Sequence, residues 1–163
     1  MYTPPKWLGP IPQGAHGSNI VQKKYWKLVS DYVRIRDFET YGTCIACGMR
    51  KPLERLQAGH YKSWASCRGY SKWDVLNIFG ECDYCNTGFN SNEVGARFRD
   101  NIIKRYGQER MDYIERLSSY PTEKMEDHVI VEKMKDIIEK MKELKQKPEY
   151  YDKVVSRLVD NSL

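Results

Sequence analysis

Cys44-Ile45-Ala46-Cys47 and Cys82-Asp83-Tyr84-Cys85 are two C-x-x-C pairs, and the second runs straight into Asn86. A C-x-x-C turn lets two thiolates approach one ion at ~2.3 Å, and two such turns complete the tetrahedral shell of a zinc ion with no open position. A closed shell of this kind holds structure and does not itself catalyse. The 34 residues between Cys47 and Cys82 exceed the ~15 to 20 of a simple zinc ribbon, so a hairpin has to be inserted between the pairs. That insertion carries Gly59-His60-Tyr61 and Asn77. Unliganded buried thiols and a redox pair of disulfides are the alternatives to a zinc site. Cys67, in the same insertion, reads as an ordinary free thiol.

Bulk properties limit what the pairs can belong to. With 163 residues, 40% of them apolar and 12% aromatic, the chain can bury one moderate core, so one main domain with appendages is expected. No run of 18 apolar residues occurs, and Met1 to Gly14 is proline-rich rather than signal-like, so no membrane span and an intracellular, cytoplasmic location are expected. Five cysteines, an odd number, suit metal ligation in a reducing compartment better than a disulfide framework. Between Lys23 and Lys72 eleven Lys/Arg stand against four Asp/Glu, so that segment is +7 within a chain of net charge +5. An anionic polymer would be drawn there. A solvated helix face followed by a polar loop is the plainer explanation of the same charges.

Period and punctuation give the elements that position these residues. Residues 1–18, with four prolines and three glycines, read as a flexible arm. From Asn19 to about Tyr41 the apolar residues Val21, Tyr25, Leu28, Val29, Tyr32, Ile35 and Phe38 recur at three- and four-residue steps. This predicts a helix with Ser18 or Asn19 as N-cap and Gly42 as stop, delivering the chain to Cys44. Between the cysteine pairs, turn residues at Gly48, Pro52, Gly59, Gly69 and Gly80 predict two short strands, near Arg55 to His60 and near Val75 to Phe79. Helices are expected at Glu93 to Tyr106, with Phe98, Ile102 and Ile103 inward, and at Gln108 to Leu117. A long charged helix is predicted from Thr122 to Lys147 and a short one from Tyr150 to Val159, separated by Pro148. In the long helix Ile130, Met134, Ile137, Met141 and Leu144 follow 4-3-4-3 spacing. Stable coiled coils usually need at least ~3 heptads, more than this seam has, so packing on the same chain and homodimer formation through the C-terminal helix both stand as readings.

The order C-x-x-C, strand ending in His60, loop, Asn77 and C-x-x-C-Asn resembles the zinc-stapled His-Asn-His (HNH) endonuclease superfamily. More closely, Gln57-Ala58-Gly59-His60-Tyr61, then Asn77-Ile78-Phe79-Gly80-Glu81-Cys82-Asp83-Tyr84-Cys85-Asn86, preceded by Val29-Ser30-Asp31-Tyr32-Val33-Arg34-Ile35-Arg36-Asp37, resembles the NinG/Rap family of lambdoid phage recombination proteins. The resemblance covers about Lys23 to Leu117. It implies a ββα-metal fold in which a hairpin and a helix grip one divalent cation at the scissile phosphate. It also implies His60 as the general base that activates water, Asn77 as the brace that keeps its ring aimed, and Asn86 as an oxygen ligand of Mg²⁺ or Mn²⁺. An imidazole, with an ordinary pKa near ~6.5, is suited to accept that proton near neutrality. Most members of the superfamily have an acid or histidine just before the base, where this chain has Gly59. Asn90 and Glu93 are therefore expected to help Asn86, with Gln57 a weaker donor.

The loop from Tyr61 to Trp73 interleaves four aromatics with Lys62, Arg68 and Lys72. Basic heads can grip phosphates while rings stack on unpaired bases, so Lys62, Trp64, Arg68 and Lys72 are candidate DNA contacts. The structural alternative is that Trp64 and Trp73 cap a small core, and Trp73 is expected to point inward. No recognition-helix signature suggests base-specific readout.

The sequence therefore predicts an α+β protein: a small zinc-stapled, HNH-like core embedded among helices, over residues 19–121, with a helical extension over 122–163. Its expected function is Mg²⁺-dependent, structure-selective cleavage of branched or Holliday-junction DNA during bacteriophage recombination in the bacterial host. A non-catalytic, zinc-dependent DNA-binding module is the alternative, and a thiol redox switch a third class.

Overall fold

The computed structural model describes residues 16–17, 19–88, 92–119 and 126–144. Helix α1 runs Ile20–Thr40. Asn19 caps it, its Oδ1 accepting from the amide of Gln22 at 2.9 Å. At the other end Gly42, at φ +63, lets both Tyr41 and Gly42 donate to the carbonyl of Asp37, at 2.9 and 3.2 Å. The chain then makes a tight knuckle in which the amide of Cys44 bonds Met49 O and that of Gly48 bonds Cys44 O, both at 2.9 Å.

A 3₁₀ turn at Leu53–Arg55 leads into β1 (Leu56–His60), which pairs antiparallel with β2 (Ile78–Cys82) in a two-stranded sheet. The register sets Leu56 opposite Cys82, Gln57 opposite Glu81, Gly59 opposite Phe79 and His60 opposite Ile78. The second strand begins three residues later than its sequence suggests. Asp74 is the reason: its side chain accepts from Leu76 N at 2.9 Å and its carbonyl from Asn77 N at 3.0 Å, drawing Val75–Asn77 into a 3₁₀ turn. The phenol of Tyr113 also bonds the Asp74 carboxylate, and Arg110 reaches Leu76 O at 3.2 Å.

Helix α2 (Asp83–Gly88) follows β2 without a break and packs on both strands. Then come α3 (Asn92–Tyr106), α4 (Gln108–Arg116), a 3₁₀ turn at Leu117–Ser119, and α5 (Asp127–Leu144). Gly107, at φ +90, separates α3 from α4 as expected. The architecture is thus α+β, a small sheet among helices. The expected helix from Tyr150 to Val159, and the arm apart from His16 and Gly17, lie outside the described residues. No helix among those described is long and apolar enough to cross a membrane.

The chain groups into two compact units, one of 33–124 and one combining the residues before and after it. In the first, β2 is buried along its whole length because both faces of the hairpin are covered. On the face of Ala58 and Gly80, Asp37 approaches to 2.9 Å from where a Gly80 Cβ would stand and takes the Gly80 amide at 2.6 Å. Arg36 bonds Ile78 O and Arg34 bonds Leu56 O, at 2.9 and 2.6 Å, so α1 clamps the carbonyls of both strands. On the other face Phe79 packs edge-on to Phe98 of α3. One buried core joins Cys44, Ile45, Leu56, Phe79, Cys82, Phe98, Ile102, Met111, Ile114 and Leu117.

In the second unit Tyr25, Trp26, Leu28 and Val29 of α1 are buried, as are Ile130, Met134, Ile137 and Met141 of α5. The 4-3-4-3 seam is therefore covered within a single chain, and a dimer through it would first have to uncover it. His16, which has no chemical context in the sequence, lies edge-on to Trp26 at 4.7 Å.

Candidate functional site

The knuckle after α1 and the end of β2 bring Cys44, Cys47, Cys82 and Cys85 together, their ligand atoms all within 4.8 Å of one another. Four sulfurs at this spacing can hold a structural zinc ion, and the donor set fits no hard cation. Burial pushes the Cys44 thiol up to about 11 and raises Cys85 further. Burial acts on Cys47 too, but the amide of Met49 and three neighbouring thiols donate to it and bring it below the ordinary thiol value. Four deprotonated sulfurs in that space need a cation among them.

His60 ends β1. Its Nε2 lies 3.0 Å from the carbonyl of Lys72, which can only accept, so Nε2 is the donor in this contact. Trp64 meets the ring edge-on at 5.6 Å, Trp73 meets Trp64 at 4.7 Å, and Lys72 Nζ lies 5.2 Å over Trp64. Trp73 is buried, as its place in the loop suggested.

Asn77 is fully buried, and its amide pairs with the backbone of Lys62 at both ends. Oδ1 accepts from Lys62 N at 2.8 Å, and Nδ2 donates to Lys62 O at 2.9 Å. With Tyr61 N bonding Asn77 O at 3.1 Å, the chain just after His60 is fixed at three points. Cys67, expected as an ordinary free thiol, is buried against this clamp, 3.5 Å from both Asn77 Nδ2 and Lys62 O. Burial raises its pKa.

Asn86, on α2, turns back to the hairpin and donates through Nδ2 to Gln57 Oε1 at 2.7 Å. Glu81, opposite Gln57, is only 5% exposed, and burial pushes its carboxyl up to about 7. The sequence pattern does not place it, because alternation puts the second strand near Val75 to Phe79 whereas β2 runs Ile78–Cys82. An acid inside Ile78-Phe79-Gly80-Glu81-Cys82, a run that must lie between the cysteine pairs, was the signal that could have found it.

Other candidates lie apart. Glu93 is exposed in the first turn of α3, and Asn90 falls outside the described residues. Beyond the cysteines, no group of three or more His, Cys, Asp or Glu among the described residues is close enough to share an ion. Lys62 Nζ bonds Glu115 O at the end of α4 at 2.8 Å, Arg68 is exposed, and Trp64 is half-buried. A surface groove of about 630 Å³ lined by residues including Tyr41, Arg50 and Lys51 shares no residue with these groups.

Among curated proteins and solved structures none gives a significant match. Residues 16–149 match the family described as Bacteriophage Lambda NinG protein. That span holds both cysteine pairs, His60, Asn77 and Asn86, so the chain belongs to the NinG family and shares its phage recombination-related role.

Proposed function

We propose that this chain is a DNA endonuclease of the HNH, ββα-metal type that uses Mg²⁺ or Mn²⁺ to hydrolyse phosphodiester bonds in branched recombination intermediates. The observation that carries the reading is the hairpin running directly into α2, with His60 pinned at the end of β1 and Asn86 turned back onto β1. The Lys72 carbonyl fixes the ring through Nε2, so Nδ1 takes the proton of the attacking water. Asn77 holds the backbone that follows and keeps the ring from swinging away.

Successive residues of a strand face opposite sides. His60 and the Asn86 oxygen above Gly59 therefore lie on opposite faces of β1, whose outer edge is unpaired among the described residues. In-line displacement needs such an arrangement, with water entering on one side of phosphorus and the 3′ oxygen leaving on the other. A divalent cation beside Asn86 would neutralise the phosphate and the departing oxygen. Asn90 and Glu93 remain further oxygen donors for it. Lys62, Arg68 and Lys72 would hold backbone phosphates, and Trp64 a splayed base.

The test is incubation of the zinc-loaded chain with linear, flapped and four-way DNA, with Mg²⁺ or with EDTA, alongside His60→Ala. Nicking of branched DNA that needs the divalent ion and is lost in the variant is expected. Equal cutting by His60→Ala would refute the role of His60. Gly59, which leaves β1 without an acid before the histidine, favours a second reading, a zinc-dependent DNA-binding module that does not cut. Binding of branched DNA with no nicking under any divalent ion would establish it.

A further inference from the structure

The space that Gly59 leaves open is occupied. A Cβ built on Gly59 would stand 2.0 Å from Glu81 Oε2 and 3.0 Å from Asn86 Oδ1, so these two oxygens converge on one point and lie within about 5 Å of each other. One arrives from β2 and the other from α2. Among the described residues the Glu81 carboxylate accepts no hydrogen bond and joins no ion pair, and although the residue is only 5% exposed its oxygens still touch solvent, so an ion can reach them. A buried carboxylate in that condition is unfavourable until a donor or a cation meets it. Asn86 is already oriented for the same purpose. Its Nδ2 is engaged by Gln57 Oε1 at 2.7 Å, which turns Oδ1 toward Glu81.

We infer that Glu81 and Asn86 are the protein ligands of a divalent, oxygen-preferring cation at the face of the hairpin above Gly59, with Gln57 as the residue that positions Asn86. The facing strand thereby supplies the acid that β1 lacks. Gly59 is a requirement of this site, because any side chain there would meet the carboxylate and the Glu81 Cβ, 3.1 Å away. One carboxylate and one amide oxygen suit Mg²⁺ or Mn²⁺, which complete their shells with water and substrate phosphate. The thiolate cluster keeps zinc in the presence of either ion. The inference rests on the nuclease reading for what the ion is used for, but not for its binding.

The test is titration of the full-length, zinc-loaded protein with Mn²⁺ in the absence of DNA, following free Mn²⁺ by electron paramagnetic resonance. One site is expected in the wild type, weakened about tenfold or more in Glu81→Gln with zinc content unchanged. Gly59→Ala should weaken it similarly by displacing the carboxylate, and His60→Ala should leave it intact. In wild-type protein, which needs no variant to fold, Mn²⁺ should first broaden the amide signals of Gly59, Glu81 and Asn86. Equal Mn²⁺ affinity in wild type and Glu81→Gln, or broadening that begins elsewhere, overturns the site. Mn²⁺ bound through Glu81 by a protein that never nicks DNA upholds the site and ends the nuclease reading. DNA nicking by a Glu81→Gln protein of wild-type Mn²⁺ affinity does the reverse.

Discussion

Glu81 and Cys82 are neighbours on β2, and alternation along the strand sends a carboxylate to one face and a thiol to the other. Cys82 joins three other sulfurs in a closed, largely buried cluster suited to zinc. Glu81 points to the other side, where two oxygens of different chemistry approach a glycine and leave the shell incomplete. A soft, closed donor set can only hold the chain together. The proposed hard, open one would leave positions for water and phosphate, as chemistry at a metal requires. The lesson is that adjacent residues on a strand separate structure from function without any change of element.

The largest effect expected is on the closed side. Cys82→Ser leaves three thiols, and because structural zinc contributes on the order of 10 kcal/mol to such folds, the variant should lose zinc and cooperative melting together. A cooperative transition near the wild-type temperature would break the comparison, since zinc would then not be the staple. Asn77→Ala comes next. It strands the amide and carbonyl of Lys62, which should lower stability by about 2 to 3 kcal/mol in urea titration. Zinc stoichiometry should be unchanged, and on the proposed function cleavage should fall with it.

On the open side the sign reverses. Glu81→Gln removes a carboxyl whose charged form burial disfavours, so without divalent cations the variant should be as stable as wild type below the ordinary glutamate pKa and up to ~2 kcal/mol more stable above about pH 7. Thermal melts in EDTA and in Mg²⁺ sharpen the contrast, because Mg²⁺ should raise the wild-type melting temperature and leave that of the variant unmoved. Clear destabilisation of Glu81→Gln in EDTA would mean that the carboxylate is structural.

Much of this was legible in the sequence, and for identifiable reasons. The ends of α1 follow from Asn19 and Gly42, whose cap and positive φ are local properties. The cysteine cluster follows from spacing alone. The start of β2 was misplaced because Asp74 competes for backbone amides, a contest that alternation of apolar residues does not display. Glu81 was hidden by the same error. Asp37 was hidden differently: its carboxylate takes the Gly80 amide, Arg36 and Tyr106 at once, a tertiary arrangement with no trace in helical periodicity. The roles of Asn86 and Gln57 needed the fold as well, since 29 residues separate a pair that meets at 2.7 Å.

The smallest effect expected belongs to the basic loop, and it separates attraction of DNA from either ion site. Arg68 is exposed, whereas Lys62 Nζ is tied to the end of α4 through Glu115 O. Arg68→Ala should therefore leave zinc content and melting unchanged, weaken binding of all DNA substrates alike, and reduce the slope of log K against log salt by about one. Lys62→Ala should lower binding too, but with some loss of stability, because its head group also joins the loop to α4. Since attraction by these charges needs no divalent ion, branched DNA should still bind in EDTA at low salt while nicking stops. Binding that disappears in EDTA would mean that the cation, rather than the loop, brings the phosphate to the hairpin. The two faces of β2 would then be joined by a shared substrate instead of being independent.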